Sequence, residues 1–266
     1  MDPESPDQKR RVREDFDRKA GIWGRLYEAP RDFRSYNFHT RRRTVLELLP
    51  KSAGVVLDVG CGTGDFIPSE LARASGVIAL EISAEMSRIC RERYGSDVRE
   101  RRLLICRGDI EALPLPNASV GGVVCVAVIE YLLGAETALK EIARVLAPGG
   151  FAIITVPNRV SPFIMIDNAT KVVLRAGSRV YRAIRGRPRD DGSYMHGYFS
   201  PWDLNRRIRA VGLTVERRAY STFGSFMYSN SIPFSVAMSE SLDALRHRSL
   251  GVLGSNYIVL ARRSAS

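Results

Sequence analysis

A doubly wound α/β fold, with a mostly parallel sheet between layers of helix, is what this 266-residue sequence predicts. Short β-branched runs alternate with helix-like stretches in the order βαβαβ. The first of those runs leads straight into three alternating glycines. With 45% hydrophobic residues the chain can bury one substantial core, whereas two full domains would be cramped. In such a sheet ligands sit beyond the carboxyl ends of the strands, near the switch in strand order, so site residues are expected just after strands.

The strand-like runs are Val55–Val59, Val77–Glu81, Leu103–Arg107, Val120–Val128 and Phe151–Val156. Helices are expected over Pro68–Ala74, Ala84–Tyr94 and Thr137–Leu146. The last is ended by Ala147-Pro148-Gly149-Gly150, because proline cannot continue a helix and glycine turns the chain, and the fifth strand follows. Ser200-Pro201-Trp202-Asp203 combines a capping serine, a proline suited to the first helical turn and an aspartate that closes a capping box, so a helix is expected over Pro201–Val211. Leu213–Tyr220 and Asn256–Ala261 bring the strands to seven.

Cys61, Cys90, Cys106 and Cys125 are widely spaced and read as ordinary small residues in a reducing cytosol, not as a disulfide framework or zinc site. The three histidines, His39, His196 and His247, form no metal-ligating pattern, so metal-free chemistry is expected. Met1 to Arg13 lacks the apolar stretch of a signal peptide, and the longest apolar run, Val120 to Ile129, is too short to span a bilayer. A cytoplasmic protein is expected. The net charge of +11 points to an anionic partner and is concentrated in two patches, Lys9 to Arg43 and Lys171 to Arg189.

The sharpest motif is Val55-Val56-Leu57-Asp58-Val59-Gly60-Cys61-Gly62-Thr63-Gly64-Asp65-Phe66. Glycines allow positive φ and let main-chain N–H groups approach a ligand with no Cβ in the way. Asp58, at the strand end, can face the positively charged amino group of a cofactor. Glu81, ending the next strand 17 residues beyond Gly64, can accept from both ribose hydroxyls. A nicotinamide dinucleotide fits less well: its fingerprint is G-x-G-x-x-G, and here Asp65 stands where a pyrophosphate would be repelled.

From about Val45 to Asn158 the chain resembles the class I S-adenosylmethionine-dependent methyltransferases, in particular the group acting on small molecules and lipids. The likeness rests on the glycine loop, on Gly108-Asp109-Ile110-Glu111-Ala112-Leu113-Pro114, and on Leu139-Lys140-Glu141-Ile142-Ala143-Arg144-Val145-Leu146 before Pro148-Gly149-Gly150. It implies a Rossmann-like seven-stranded sheet, mostly parallel with an antiparallel last strand. It also implies that Gly60, Gly62 and Gly64 cradle S-adenosylmethionine, later S-adenosylhomocysteine, while Asp58 orients the methionine end and Glu81 holds the ribose. Asp109 and Ile110 would frame the adenine, Ile82 pack on its ring, and Cys61 and Val126 complete the cofactor set. Residues 1–44 would form a helical lid on a domain of 45–266, from which Tyr27 approaches the sulfonium. A docked amphipathic helix is the plainer reading of that segment. Two positions depart from the family: Val120-Gly121 replaces a usual Phe-Asp, and Glu130-Tyr131 a usual Glu-His, so no catalytic histidine is expected after the fourth strand.

Methyl transfer to a hydroxyl or ammonium needs a base, and His196 is the candidate, beside the alternative of a packing histidine at a turn. A helical segment is expected to be inserted at about 159–198. Within it, Pro162 to Arg185 gathers Phe163, Ile166, Ala169, Val173, Val180, Tyr181 and Ile184 on one side and Lys171, Arg175, Arg179, Arg182 and Arg185 on the other. Such a basic amphipathic helix lies in an anionic membrane interface or packs on its own domain. The ubiquinone-pathway O-methyltransferases, which the core resembles, carry a membrane-touching insertion in a similar place. The expectation is therefore methyl transfer, at oxygen or nitrogen, to a hydrophobic or lipid-linked acceptor by an enzyme peripheral on the inner membrane face. The alternatives are a soluble metabolite acceptor, an RNA methyltransferase using Arg41-Arg42-Arg43 as phosphate contacts, or a non-catalytic cofactor-binding regulator. No target-base loop follows the fourth strand, so a nucleic-acid partner is not expected.

Overall fold

The computed structural model describes residues 5–27, 33–52, 54–170, 172, 197–224 and 235–265. Its strands are β1 (Val55–Val59), β2 (Gly76–Glu81), β3 (Leu103–Arg107), β4 (Val120–Val126), β5 (Leu146–Pro157), β6 (Leu213–Ser221) and β7 (Asn256–Arg263). They form one sheet in the order β3-β2-β1-β4-β5-β7-β6. Strands β1 to β5 pair in parallel, and β7 runs antiparallel to both β5 and β6, between which it is inserted. The seven-stranded, mostly parallel sheet with an antiparallel last strand is as expected. The order switches at β1 and β4, which opens a crevice beyond their carboxyl ends.

The helices are α1 (Ser5–Trp23), α2 (Phe33–Leu48), α3 (Ile67–Leu71), α4 (Ala84–Arg93), α5 (Gly95–Arg99), α6 (Glu136–Val145), α7 (162–170), α8 (Pro201–Ala210) and α9 (Ser235–Leu242). Both faces of the sheet are covered. On one, Leu139 and Ile142 of α6 and Leu204 and Ile208 of α8 pack on Val123 and Ile154; on the other, Val45 and Leu48 of α2 join Phe66, Phe151 and Ile258. The near-continuous burial of β4 and β5 follows from this two-sided covering.

Two helix ends show how sequence sets local structure. Ser200 Oγ accepts from Asp203 N at 3.2 Å, so α8 starts at the expected capping serine. Ser83 Oγ likewise accepts from Met86 N at 3.1 Å and caps α4. The Pro148-Gly149-Gly150 turn differs from expectation, lying inside β5 and not ahead of it. Leu146 already pairs with Val120, the register shifts before Gly122 pairs with Phe151, and Gly149 takes φ +73° within the irregularity.

Among the described residues no helix is long and apolar enough to cross a membrane. Most of the amphipathic helix expected over 162–185 lies outside the described residues. In the part described, Ile164 and Asp167 face inward, while Met165, Ile166, Ala169 and Val172 are exposed.

Helix α2 is tied to the far end of the sheet by buried side chains. Asn37 Oδ1 accepts from Thr222 Oγ1 and from Asn256 Nδ2, both at 2.8 Å, and Thr40 Oγ1 lies 2.9 Å from Thr222 Oγ1. Replacing Asn37 by Ala removes the acceptor that both donors share, leaving Thr222 Oγ1 with Thr40 Oγ1 and Asn256 Nδ2 with Ser221 Oγ and Thr222 Oγ1 at longer range, and losing a buried hydrogen-bond acceptor costs about 1–3 kcal/mol. Asn37→Ala is therefore expected to lower the unfolding free energy by about that amount in urea titrations, and an unchanged midpoint would show that these bonds add nothing.

Candidate functional site

Beyond β1 the chain turns through Gly60 at φ +68°, Gly62 at +56° and Gly64 at +87°. Gly60 N donates to Leu80 O at 2.7 Å, and a Cβ there would collide with Val128 Cγ2. Gly62 N donates to Glu81 Oε2 at 2.9 Å, and Ser83 N donates to Glu81 Oε1 at 2.8 Å. One carboxylate thus pins the glycine loop to the start of α4. A Cβ on Gly62 would meet only Met86 Sδ, at 3.8 Å, which leaves space over the loop for a ligand.

Asp58, Gly60, Cys61, Gly62, Glu81, Ile82, Asp109, Ile110, Val126 and Tyr27 line one cavity at the carboxyl ends of β1, β2 and β4. Gly64 does not. It faces α4, where a Cβ would stand 2.6 Å from Tyr94 Cε2 and 2.9 Å from Cys90 Sγ, so packing beneath the loop demands the glycine there. His196 lies outside the described residues, although the adjoining Gly197 N donates to Glu130 O at 2.6 Å.

The cavity floor is lined by buried acids. Burial, with the charges of Glu81 and Asp65 adding to it, pushes the Asp58 carboxyl up to about 8, and its Oδ2 has no hydrogen-bond partner. Burial also raises Glu81, against the backbone N–H groups of Ser83, Gly62 and Ile82. Facing these acids is Arg41 of α2, which the sequence reading placed in a run of phosphate contacts. It is only 8% exposed, lies over the Phe38 ring at 5.0 Å, and its Nε has no partner. Its neighbour Arg43 is engaged with Asp243, so the three arginines do not form one free strip. Phe38, Arg41, Val45 and Leu48 recur at helical spacing and are all buried; a cation on that stripe was the signal that went unread.

Edge-to-face rings roof the cavity in a chain: Phe66, Tyr27, Phe38, Trp23, Phe16 and Tyr131, with centroids 5.0–6.4 Å apart. Helix α1 is fastened to the rim at three places. Gln8 Nε2 donates to Tyr131 O at 2.9 Å, Lys9 Nζ reaches Asp109 Oδ2 at 2.6 Å and Glu111 Oε2 at 2.5 Å, and Asp17 accepts from Ser83 Oγ at 2.6 Å and Glu85 N at 3.1 Å. Asp109 thus lines the cavity with one oxygen committed to Lys9.

A second cavity adjoins the first, sharing Trp23, Arg41, Ala127 and Tyr131. Ala127 takes φ +56°, a strained conformation for a residue with a Cβ, and its N donates to Thr155 Oγ1 at 2.9 Å. The arrangement can hold a zwitterionic, ribose-bearing ligand in the first cavity and a second molecule beside it.

Residues 57–154 match the family described as "Methyltransferase domain". The chain is 34% identical over 143 residues to malonyl-[acyl-carrier protein] O-methyltransferase of Pectobacterium atrosepticum, a match covering 53% of this chain and 51% of that protein. The chain thus spans about half the length of the curated relatives it matches. Its fold is shared with magnesium protoporphyrin IX methyltransferase of Synechocystis, solved with bound SAH, at TM-score 0.63 and 18% identity, covering 97% of this chain and 100% of that one. It is shared equally with the [4+2]-cyclase SpnF, at TM-score 0.62 and 16% identity, covering 96% of each chain.

The buried acids give a pH signature. A folded-state carboxyl raised above its unfolded value binds its proton more tightly in the native state, so its contribution is full below about pH 4 and is lost as pH rises through the folded value. For Asp58 that loss runs to about 8 and for Glu130, also raised by burial, to about 7. The ligand-free urea midpoint is expected to fall between about pH 5 and about pH 9, and Asp58→Asn to flatten the fall. A variant with the parent's slope would mean that Asp58 ionises normally.

Proposed function

We infer the function of a chain whose core belongs to the class I S-adenosylmethionine-dependent methyltransferases: it transfers a methyl group from S-adenosylmethionine to the oxygen or nitrogen of a hydrophobic small-molecule or lipid-linked acceptor. The observation that carries this reading is the pairing of two cavities, one built for an amino-acid-bearing nucleoside and the other opening beside it past Ala127.

The residues of the first cavity fit the cofactor. Arg41, buried with an unpartnered Nε, would pair with its carboxylate, and Asp58, buried with an unpartnered Oδ2, with its ammonium. Each Glu81 oxygen accepts one backbone N–H and keeps a lone pair for a ribose hydroxyl. Ile82 and Ile110 would flank the adenine, and the free Asp109 lone pairs accept from its amino group. The cofactor supplies a methyl group already activated by its sulfonium. What the chain contributes is alignment of the acceptor and exclusion of water, for which the aromatic roof and the three fastenings of α1 are suited. Helix α1 and the turn to Tyr27 would then act as the lid, the segment that must move to admit the cofactor.

An apolar acceptor is supported by Ile22, Trp23, Leu26, Phe38 and Ile164 in the second cavity. Peripheral membrane contact through 162–185 is supported by Met165 and Ile166, exposed on α7, and by the exposed Val172 just beyond it. The RNA alternative loses ground because Arg41 is withdrawn into the cavity and Arg43 is paired.

Two measurements test this. In calorimetry S-adenosylhomocysteine is expected to bind, and Arg41→Ala to weaken it at least about 10-fold, since removing one partner of a buried charge pair costs well over 1.4 kcal/mol. Incubation with methyl-labelled cofactor and separate lipid, soluble and RNA extracts is expected to label the lipid fraction, with less label after Met165→Asp and Ile166→Asp. Label confined to the soluble pool would remove the membrane reading, and label in RNA would overturn the acceptor class.

A further inference from the structure

We propose that Glu130 is the catalytic proton acceptor on the acceptor side and that the second cavity selects a neutral hydroxyl on an apolar body over a carboxylate. This deepens the methyl-transfer reading and rests on it.

Glu130 stands in the short 3₁₀ turn after β4, Ile129–Tyr131, directly beyond the strained Ala127 that separates the two cavities. It lines the second cavity, is 2% exposed, and its Oε2 has no hydrogen-bond partner. A carboxylate oxygen buried and unpartnered is expensive unless a ligand completes it. Glu130 lines the second cavity together with Trp23, Arg41 and Tyr131, the wall that the two cavities share and past which an acceptor would approach the first. Burial pushes its carboxyl up to about 7, against its own backbone N–H and the charge of Arg41, which suits a base working near neutrality.

The groups around it decide the acceptor. Arg41 comes from α2, Lys19 from α1 and Asp167 from α7, while Tyr131 and Tyr198 add hydroxyls, Asn37 and Asn256 amides, and Cys125 lies beneath. Lys19 is already paired with Asp15 and Arg41 is the partner proposed for the cofactor carboxylate, so neither cation is left to answer an acceptor carboxylate. A carboxylate acceptor would face Glu130 and Asp167, and as an oxygen anion it would need no base. A hydroxyl needs one and donates a hydrogen bond to it. In the step, the acceptor O–H proton passes to Glu130 Oε2 and the oxygen pair forms the new O–CH₃ bond. The old C–S bond breaks with its pair retained by sulfur, which leaves as the neutral thioether. The separation from the first relative is chemical, since its name specifies malonyl-[acyl-carrier protein].

The test uses the full chain, methyl-labelled cofactor, and a panel of alkylphenols with the matched benzoic acids. Phenols are expected to be labelled and benzoic acids not. Glu130→Gln is expected to lower kcat at least about 100-fold, the lower end for general-base catalysis. It should also erase the pH limb near 7 while leaving S-adenosylhomocysteine affinity, read by calorimetry, unchanged. As a readout independent of turnover, the ¹³C side-chain carboxyl of Glu130 should titrate near 7 in the complex with S-adenosylhomocysteine. Preference for benzoic acids, a Glu130→Gln variant with the parent's rate and pH profile, or a complex in which no phenol binds or is labelled would overturn the proposal. Failure of S-adenosylhomocysteine itself to bind would instead overturn the methyl-transfer reading beneath it.

Discussion

The Glu81 carboxylate accepts from Gly62 N on one side and from Ser83 N on the other, and the rest of the site is arranged around that clasp. Two elements that leave the sheet from different strands, the loop after β1 and the cap of α4, are held in one register by a single side chain. The loop can then keep its glycines at positive φ with their N–H groups bonded to Leu80 O, Glu81 Oε2 and Cys61 O, while Ser83 remains free to cap α4 and to donate to Asp17. A charged acceptor bonded to two backbone N–H groups is among the stronger local contacts a fold can make. Burial keeps it there despite the cost that raises the Glu81 carboxyl.

Concentrating Asp58 and Glu81 at adjacent strand ends, with Asp65 in the loop after β1, leaves the crevice short of positive charge. Asp65 is answered by Arg93 at 2.9 Å and by Thr63 Oγ1 at 2.8 Å, whereas Asp58 has no such partner. Arg41, brought in by α2, lines the same cavity with its own Nε unpartnered. Polar groups of opposite sign left incomplete on facing walls describe a place for a zwitterion, and they do so independently of any likeness to other proteins. That independence matters because closely similar folds carry names as different as a methyltransferase and a cyclase.

The N-terminal helices cover part of the crevice. The ring chain from Phe66 to Tyr131 links the glycine loop, both N-terminal segments and the turn after β4, so its closure depends on four elements at once. Asn37, Thr222 and Asn256 anchor α2 against the β6 and β7 end, which holds Arg41 at the boundary between the two cavities.

Much of the fold was legible in the sequence. Period-two and β-branched runs marked all seven strands, and a capping serine marked the start of α8, because those signals depend on near neighbours. The residues that line the first cavity could be picked for the same reason: they follow strands, and a parallel sheet delivers strand ends to one edge. Gly64 shows the limit, since its need for glycine comes from Tyr94 and Cys90, 26 or more positions away. Arg41 read as part of a basic run and Glu130 as half of a Glu-Tyr pair in place of Glu-His, and only the packing of α2 across the sheet and the turn at Ala127 buried them beside one cavity. By itself the sequence determined the order of elements and the glycine loop, which local sterics and hydrophobic period dictate. The tertiary structure alone decided which charges lose their water, because desolvation depends on every element that packs around a group and not on its neighbours in the chain.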